Sequence, residues 1–322
     1  MNNSKEQSIK ILVMGGTEFV SSSMAKYLIS KGYTVDVFTR GIKPLNYEGL
    51  RKHLKGDRKS TLDLKANIGN EKYHYVFDIS AYTKEDVEKL TNVLDRESLK
   101  RYVFCSSGAV YIPSDEMVSE DFAKGENANW GAYGLGKKEA EDYLFKLWGD
   151  DKFPMTIFRP TYIYGEDNNL LREKYLFNRI SKSLDVPIPD GDKKNQFIYI
   201  SDLVRILESA IHTEKSAGQA YNATHPQLVT WEKLVQAAIK AVNIEVKIKK
   251  IDSKREDVKL GEYFIFRNIN YILSLEKAQK DGLYVPKIDI QEGMKLAYKW
   301  YCEAKPEVNN PRMTKVDYVL ES

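Results

Sequence analysis

The chain has 322 residues, 42% of them hydrophobic and 30% charged, and its 49 basic residues nearly balance its 46 acidic ones. This composition is typical of a globular protein with a large core, and the net charge of +3 gives no argument for a nucleic-acid partner. The two cysteines, Cys105 and Cys302, are too few for a metal-binding set or a disulfide framework, so we expect no metal and a reducing compartment.

The chain begins with a polar segment, MNNSKEQS, which lacks the apolar run of a signal peptide. The sequence also contains no stretch of about 18 apolar residues, the length that a membrane-spanning helix needs. We therefore expect a cytoplasmic protein that does not contact a membrane.

Strands and helices alternate through the first half of the chain. Short apolar runs bounded by turn residues predict strands, and apolar residues at helical spacing predict helices. The alternation predicts crossover units and therefore an α/β fold, a Rossmann-type doubly wound parallel sheet. The predicted strands cover 9–14, 34–39, 50–57, 73–80, 100–107 and 155–160. One predicted helix ends at Gly32, and two others cover 84–94 and 130–148.

The pattern becomes less regular after residue 165. We expect residues 1–165 to form the Rossmann domain and residues 166–322 to form a smaller C-terminal α/β lobe that binds substrate, with some interleaving of the two. Helices are predicted near 170–184, 201–212, 230–242, 274–281 and 289–302, separated by short strands and by loops with Pro and Gly.

The stretch MGGTEFVSSS follows the first predicted strand, where a dinucleotide-binding loop lies in such folds. Gly15 keeps the first glycine of the usual fingerprint, which permits the tight turn, whereas Glu18 and Ser21 stand at the second and third glycine positions. The N–H groups at the start of the following helix form a site for an anion. On this stretch alone, an ordinary strand-turn-helix without a cofactor remains an alternative.

The second strand ends in Thr39-Arg40-Gly41 and carries no acidic residue there to bind the ribose 2′-hydroxyl. Arg40 favours a 2′-phosphate, and hence NADP, or stacks on adenine. Glu18 would repel a 2′-phosphate and favours NAD. We predict NAD as the cofactor and keep NADP as the alternative.

Tyr133 and Lys137 stand four residues apart in AYGLGKKEAEDYL, a spacing that places both side chains on one face of a helix. A nearby ammonium lowers the pKa of a phenol, so this pair can exchange a proton with a substrate hydroxyl while a hydride moves to or from the cofactor. Ser107 ends the strand in YVFCSS, at the carboxyl edge of the sheet, where its hydroxyl can bond the same substrate oxygen.

A series of motifs, in order along nearly the whole chain, resembles the extended short-chain dehydrogenase/reductase superfamily, which includes nucleotide-sugar epimerases and dehydratases. The combination of GGTEF, TRG and KGDR is most similar to an atypical branch that contains chloroplast stem-loop-binding proteins and bacterial NAD-dependent epimerase/dehydratase proteins. The motifs are GGTEF, VDVFTRG, KGD, SSGAVY, YGLGK, RPTYIYG and FIYISDL.

The resemblance implies roles for individual residues and a homodimer formed through the helix at 130–148. It implies that Tyr133 is the acid/base, that Lys137 binds the nicotinamide ribose and tunes Tyr133, and that Ser107 orients the substrate. The implied cofactor-binding residues are Gly15, Gly16, Thr17, Glu18, Phe19, Val20, Arg40, Asp57, Ser80, Ala81, Tyr82, Lys137, Pro160, Tyr162 and Ile163.

Some positions depart from the family pattern. Dehydratases of the family carry an acidic pair directly after the position of Ser107, and here Gly108 and Ala109 stand there, so dehydration is not expected. Tyr162 replaces the Asn, and Asn195 the Arg, with which the family often holds a sugar diphosphate. The candidate substrate residues are Ser107, Tyr162, Asn195 and Arg255.

We therefore predict an NAD(P)-dependent epimerase or oxidoreductase that acts on a hydroxyl or keto group of a sugar-like small molecule, of which a nucleotide sugar is one form. One alternative is a cofactor-binding regulator without turnover, which the altered Glu18 and Ser21 favour. Another is an RNA-associated protein, by analogy with the stem-loop-binding relatives, although the near-neutral charge argues against a nucleic-acid partner.

Overall fold

The computed structural model describes residues 9–309 and 311–321. The polar N-terminal segment, on which the expectation of no signal peptide rests, lies outside these residues. Within the described ranges, no helix combines the length and the apolar character needed to cross a membrane.

Seven parallel strands form the central sheet, in the order β10-β6-β5-β4-β1-β2-β3. The chain builds the sheet outward from β1 in one direction and then returns to build it in the other, so the order reverses between β1 and β4. The predicted doubly wound sheet is confirmed. The strands of the described residues are β1 Lys10–Met14, β2 Thr34–Thr39, β3 Lys52–Lys55, β4 Tyr75–Asp78, β5 Arg101–Cys105, β6 Met155–Pro160, β7 Tyr162–Tyr164, β8 Val186–Pro189, β9 Phe197–Tyr199, β10 Gln219–Ala223 and β11 Ile248–Ile251.

Helices cover both faces of this sheet, which explains why its strands are apolar on both sides. In β1, Leu12 and Met14 pack with α2, α3 and α4 on one face, whereas Ile11 and Val13 pack with α1 and α6 on the other. The helices are α1 Phe19–Ser30, α2 Thr61–Ile68, α3 Lys84–Thr91, α4 Gly131–Asp151, α5 Glu173–Ser181, α6 Ile200–Ser209, α7 Trp231–Val242, α8 Glu276–Lys280, α9 Ile290–Ala304 and α10 Val316–Glu321.

A second lobe is built by the two-stranded pairs β7-β9 and β8-β11 and by the mutually packed helices α5, α7 and α9. Its first strand, β7, lies before residue 165, ahead of the boundary expected from the sequence. However, β10 completes one edge of the central sheet and α6 packs against α1. The cleft between the lobes is therefore lined by residues from both halves of the chain.

Helix α4 lies close against the loops after β4 and β5 because two glycines lie on its buried face. A Cβ atom at Gly134 would stand 2.4 Å from the carbonyl oxygen of Ala109, and one at Gly136 would stand 2.6 Å from that of Tyr82. These contacts seat α4 against the loops that follow β4 and β5. The YGLGK motif thus sets the position of the helix as well as supplying its polar side chains.

We predict that Gly134→Ala lowers the free energy of unfolding by about 1–3 kcal/mol, because the new methyl group must push α4 away from the 108–110 turn. Gly149→Ala is the matched control on the same helix, since a Cβ there meets nothing within 4 Å. The control should be neutral or stabilising by up to about 1 kcal/mol. Urea unfolding measures both, and equal effects at the two positions would contradict the close approach.

Candidate functional site

A cavity of about 800 Å³ opens at the carboxyl edge of the sheet, where the strand order reverses. This is the position at which doubly wound sheets bind ligands. Most of the residues predicted from the sequence line it: Gly15, Thr17, Glu18, Phe19, Val20, Arg40, Asp57, Ser80, Tyr82, Ser107, Tyr133, Lys137, Pro160, Tyr162 and Ile163.

Four predicted residues do not line this cavity. Gly16 and the buried Ala81 lie directly beside residues that do. Asn195 is fully buried, its backbone bridges Val229, and its side-chain amide has no hydrogen-bond partner among the described residues. Arg255 pairs with Asp257 outside the cavity. The assignment of Asn195 and Arg255 to a substrate contact in this cavity is therefore not supported by their positions.

The loop after β1 has the geometry of a turn built for glycine. Gly15 has φ +107° and Gly16 has φ +142°, values that L side chains rarely adopt. Ser21, at the third glycine position, closes the loop: its Oγ accepts a hydrogen bond from the Gly16 N–H at 2.9 Å and donates one to the Glu18 carbonyl at 2.9 Å. The serine substitution thus braces this turn instead of blocking it.

Glu18, at the second glycine position, pairs with Lys43, and both side chains are exposed. Glu18 also leaves the start of α1 without a side-chain cap, so the first-turn N–H groups have no carboxylate or hydroxyl from the cap residue. An anion at this helix end would meet those N–H groups and the positive end of the helix dipole. The loop therefore fits the diphosphate of a dinucleotide.

Arg58 is a residue of this site that sequence reasoning missed. Its guanidinium donates to the fully buried Asp78 carboxylate at 2.7 and 2.9 Å and to the Ser80 hydroxyl at 2.9 Å, and Tyr102 donates to the same carboxylate at 2.6 Å. Burial acts to raise the pKa of Asp78, but the charge and hydrogen bonds of Arg58 outweigh it, and the pKa lies below its usual range. This pair fixes the loop after β4 along the cavity wall.

Lys137 is buried at the end of β5. Its Nζ donates to the Cys105 carbonyl at 2.7 Å and lies over the rings of Tyr82 and Phe104, 5.2 and 4.9 Å from their centroids. Burial lowers the pKa of this ammonium. The side chain is thus held in one orientation at the floor of the cavity.

Tyr133 projects into the cavity from α4, with 41% of its surface exposed there. Burial among its neighbours raises the pKa of the phenol, and a hydrogen bond with Ser107 acts in the opposite direction. The Lys137 ammonium, which the sequence predicts to lower this pKa, is hydrogen-bonded to the Cys105 carbonyl and is not among the groups that shift the pKa of Tyr133 here.

Ser107 lies between two phenols. Its hydroxyl acts on the pKa of both phenols, and its Oγ accepts from the Ala109 N–H at 3.2 Å, which starts the turn at 108–110. The predicted Ser107 and Tyr133 therefore line one cavity and influence each other there. Tyr271 comes from the second lobe, and nothing in the local sequence indicated it.

A buried ion pair lies behind these residues. Arg159 of β6 donates to the Glu141 carboxylate of α4 at 2.7, 3.0 and 3.2 Å, and both side chains are almost fully buried. Ser106 donates to the same carboxylate at 2.6 Å. The pair therefore ties α4 to the ends of both β5 and β6.

Aromatic side chains form the far end of the cavity. Tyr162 packs edge-on against Tyr271 with ring centroids 5.2 Å apart, and Trp130 lies 5.4 Å from Tyr271. The Tyr162 hydroxyl is buried without a partner. Leu170 and Arg172, from the loop after β7, complete this end. Across the described ranges, no group of three or more His, Cys, Asp and Glu side chains could hold a metal ion.

Residues 11–224 match the sequence model of the NAD dependent epimerase/dehydratase family. The chain is 29% identical over 306 residues to the chloroplast stem-loop binding protein of 41 kDa b of Arabidopsis thaliana, covering 90% of this chain and 78% of that protein. It is 22% identical over 330 residues to mouse dTDP-D-glucose 4,6-dehydratase, covering 91% and 88%. The resemblance predicted from the motifs is confirmed.

The fold is similar to that of UDP-glucose 4-epimerase from Thermotoga maritima, solved with UDP-glucose. The TM-score is 0.76, the identity is 18%, and the match covers 92% of this chain and 100% of the epimerase. At this identity the likeness establishes the fold and not the substrate.

We predict that Arg58→Met destabilises the protein by about 3–5 kcal/mol at pH 7, because it leaves the Asp78 charge buried and unpaired. The pKa of Asp78 lies below its unfolded value in the wild type and should rise above it in the variant. The difference in unfolding free energy should therefore be full at neutral pH and shrink as Asp78 becomes protonated in acid.

Urea unfolding between pH 7 and pH 4 measures this difference. Arg96→Met is the control, since Arg96 pairs with Asp151 at the surface and its loss should cost at most about 1 kcal/mol. A difference for Arg58→Met that does not depend on pH would contradict the assigned pairing.

Proposed function

Because the chain belongs to the NAD dependent epimerase/dehydratase family, we propose that it is an NAD-dependent epimerase or oxidoreductase acting on a hydroxyl or keto group of a sugar-like substrate. The observation that carries the proposal is that Ser107, Tyr133 and the buried Lys137 ammonium line one cavity. These groups share one cavity with the glycine loop at the start of α1.

NAD is the cofactor of the family by its description, and the residues of the cavity fit it. The first-turn N–H groups of α1 and the turn at Gly15 would hold the diphosphate, and Lys137 would hold the nicotinamide ribose. When bound, NAD would supply the hydride acceptor and donor and a positive charge beside Tyr133.

Tyr133 would take the proton from the substrate hydroxyl as that carbon is oxidised and give it back as the carbon is reduced. Ser107 would hydrogen-bond the same substrate oxygen. When the cofactor is bound, the Lys137 ammonium would stabilise the phenolate form of Tyr133. Return of the hydride to the opposite face of the oxidised substrate carbon would give epimerisation. Release of the product after a single hydride transfer would give a net redox reaction.

We propose epimerisation or redox over dehydration. Gly108 and Ala109 stand where family dehydratases carry an acidic pair, and a Cβ at Gly108 would lie 2.5 Å from the Tyr271 hydroxyl. An acidic side chain at that position would therefore require Tyr271 and Leu273 to shift. A nucleotide sugar is the proposed form of the substrate, supported by relatives and structural neighbours whose names or titles refer to UDP- or dTDP-sugars.

A second candidate is RNA binding, favoured by the 29% identical relative that is named for stem-loop binding. Binding of a stem-loop RNA that weakens steeply between 50 and 200 mM salt would support it (the slope expected for phosphate contacts).

The homodimer through α4 and the cytoplasmic location remain proposals. Light scattering on the purified protein tests the first of these.

We predict that Tyr133→Phe keeps NAD affinity and lowers turnover by about 10²–10⁴-fold, since it removes the proton-transfer group without changing the cavity. Conversion of UDP-glucose, UDP-galactose and dTDP-glucose, followed by proton NMR, measures turnover. Tyr143→Phe is the control on the same helix, because Tyr143 is outside the cavity lining. Normal turnover in Tyr133→Phe would remove this residue from the mechanism.

We predict that Glu18→Gly strengthens NAD binding by about 1 kcal/mol, or roughly fivefold in Kd, because it removes a negative charge beside the diphosphate position. Lys43→Gln should have the opposite effect, since it leaves the Glu18 carboxylate unpaired. Calorimetry with NAD measures both variants. Unchanged affinity in both would mean that the Glu18 charge does not act on the cofactor.

A further inference from the structure

Arg172 is a cation in the cavity wall for which the described residues supply no carboxylate. Its Nη1 donates to the Ile163 carbonyl at 2.7 Å, and its guanidinium lies 5.2 Å from the centroid of the Tyr162 ring. None of the ion pairs among the described residues includes it. The side chain is half-buried and lines the cavity.

Two other arginines beside the site are neutralised: Arg58 is held by Asp78, and Arg159 is held by Glu141. Arg40 also lines the cavity, but it is exposed and lies directly after β2. Glu173 follows Arg172 in the sequence, but its carboxylate accepts from the Gly165 N–H at 2.9 Å and from the Asn168 amide at 3.0 Å. Arg172 therefore brings to the cavity a guanidinium that no carboxylate of the described residues pairs with directly, although the charge of Glu173 acts on it.

Arg172 lies near the reacting groups. Its charge acts to lower the pKa of both Tyr133 and Tyr162, so it is within electrostatic reach of the proposed acid/base. Burial disfavours its charged form, yet a guanidinium stays protonated at neutral pH. A desolvated cation with free N–H donors binds carboxylates and phosphates through charge-assisted hydrogen bonds.

Aromatic and apolar side chains line the same cavity as this cation. The Tyr162 ring lies beside the guanidinium, and Trp130, Tyr271 and Leu170 also line the cavity. They offer apolar surface against which a sugar ring can pack. A substrate bound there can place one face on a ring and one polar group on the guanidinium.

We propose that Arg172 determines substrate specificity by binding an anionic group, a carboxylate or a phosphate monoester, that the substrate carries close to the carbon whose hydroxyl Tyr133 deprotonates. The inference rests on the proposed function, of which it names the substrate class. It assigns to Arg172 a contact with the sugar end of the substrate and not with a nucleotide diphosphate.

The test is calorimetry of the NAD-loaded full chain with two matched pairs of probes. UDP-glucuronate against UDP-glucose tests a carboxylate, and glucose 6-phosphate against glucose tests a phosphate monoester. In at least one pair the anionic probe should bind about 10- to 100-fold more tightly. Arg172→Gln should remove that preference, and Arg172→Lys should retain part of it.

Arg267→Gln is the matched control, since Arg267 is exposed, stacks 4.3 Å from the Trp130 ring centroid and does not line the cavity. It should leave the preference unchanged. Unaltered NAD affinity in Arg172→Gln shows that the variant is folded. The proposed function itself is tested separately, by Tyr133→Phe.

Three results would overturn the inference. One is equal binding, or no binding, of the anionic and neutral members in both pairs. Another is a preference that persists in Arg172→Gln. The third is an equal loss of UDP-glucose and UDP-glucuronate binding in that variant, which would place the diphosphate on Arg172.

Discussion

The buried ion pair between Arg159 and Glu141 is the interaction on which the site depends. A charge pair in a dry interior is tolerated only when its hydrogen bonds are complete. Here the carboxylate accepts from Arg159 and Ser106, and the remaining guanidinium N–H groups reach the Tyr111 hydroxyl at 2.7 Å and the Glu120 carbonyl at 2.8 Å. These bonds join α4, β6 and the end of β5, the elements that carry the proposed chemistry.

One face of α4 therefore combines structure and chemistry. Tyr133, Lys137 and Glu141 follow each other at intervals of four residues, so the helix presents an acid/base, a cation and an anchoring carboxylate in line. The glycines at 134 and 136 let this face approach the loops that hold Ser107 and Tyr82. The free-energy cost of burying polar groups on this face is offset by the hydrogen-bond partners that the strands supply.

The features that depend on residues close together in the chain could be predicted from the sequence. The sheet follows from alternating apolar runs, and Tyr133 and Lys137 follow from helical spacing. The sequence did not reveal Arg172 as a cavity residue, because no motif marks the loop after β7. It did not reveal Tyr271, because the second lobe brings that residue to the cleft from far along the chain. It missed α2, which has only eight residues, half of them polar, and whose start depends on the Ser60 cap. Asn195 and Arg255 were placed by analogy, and neither lines the cavity.

The central claim is that this cavity binds a dinucleotide through an altered but intact glycine loop. Titration calorimetry of the purified protein with NAD, NADH, NADP and NADPH tests it most directly, after absorbance has shown whether cofactor was retained in purification. The account predicts binding of NAD or NADH at one site per chain, or a retained cofactor. Failure of all four to bind to a cofactor-free protein would contradict it, because Glu18 and Ser21 would then have disabled the loop.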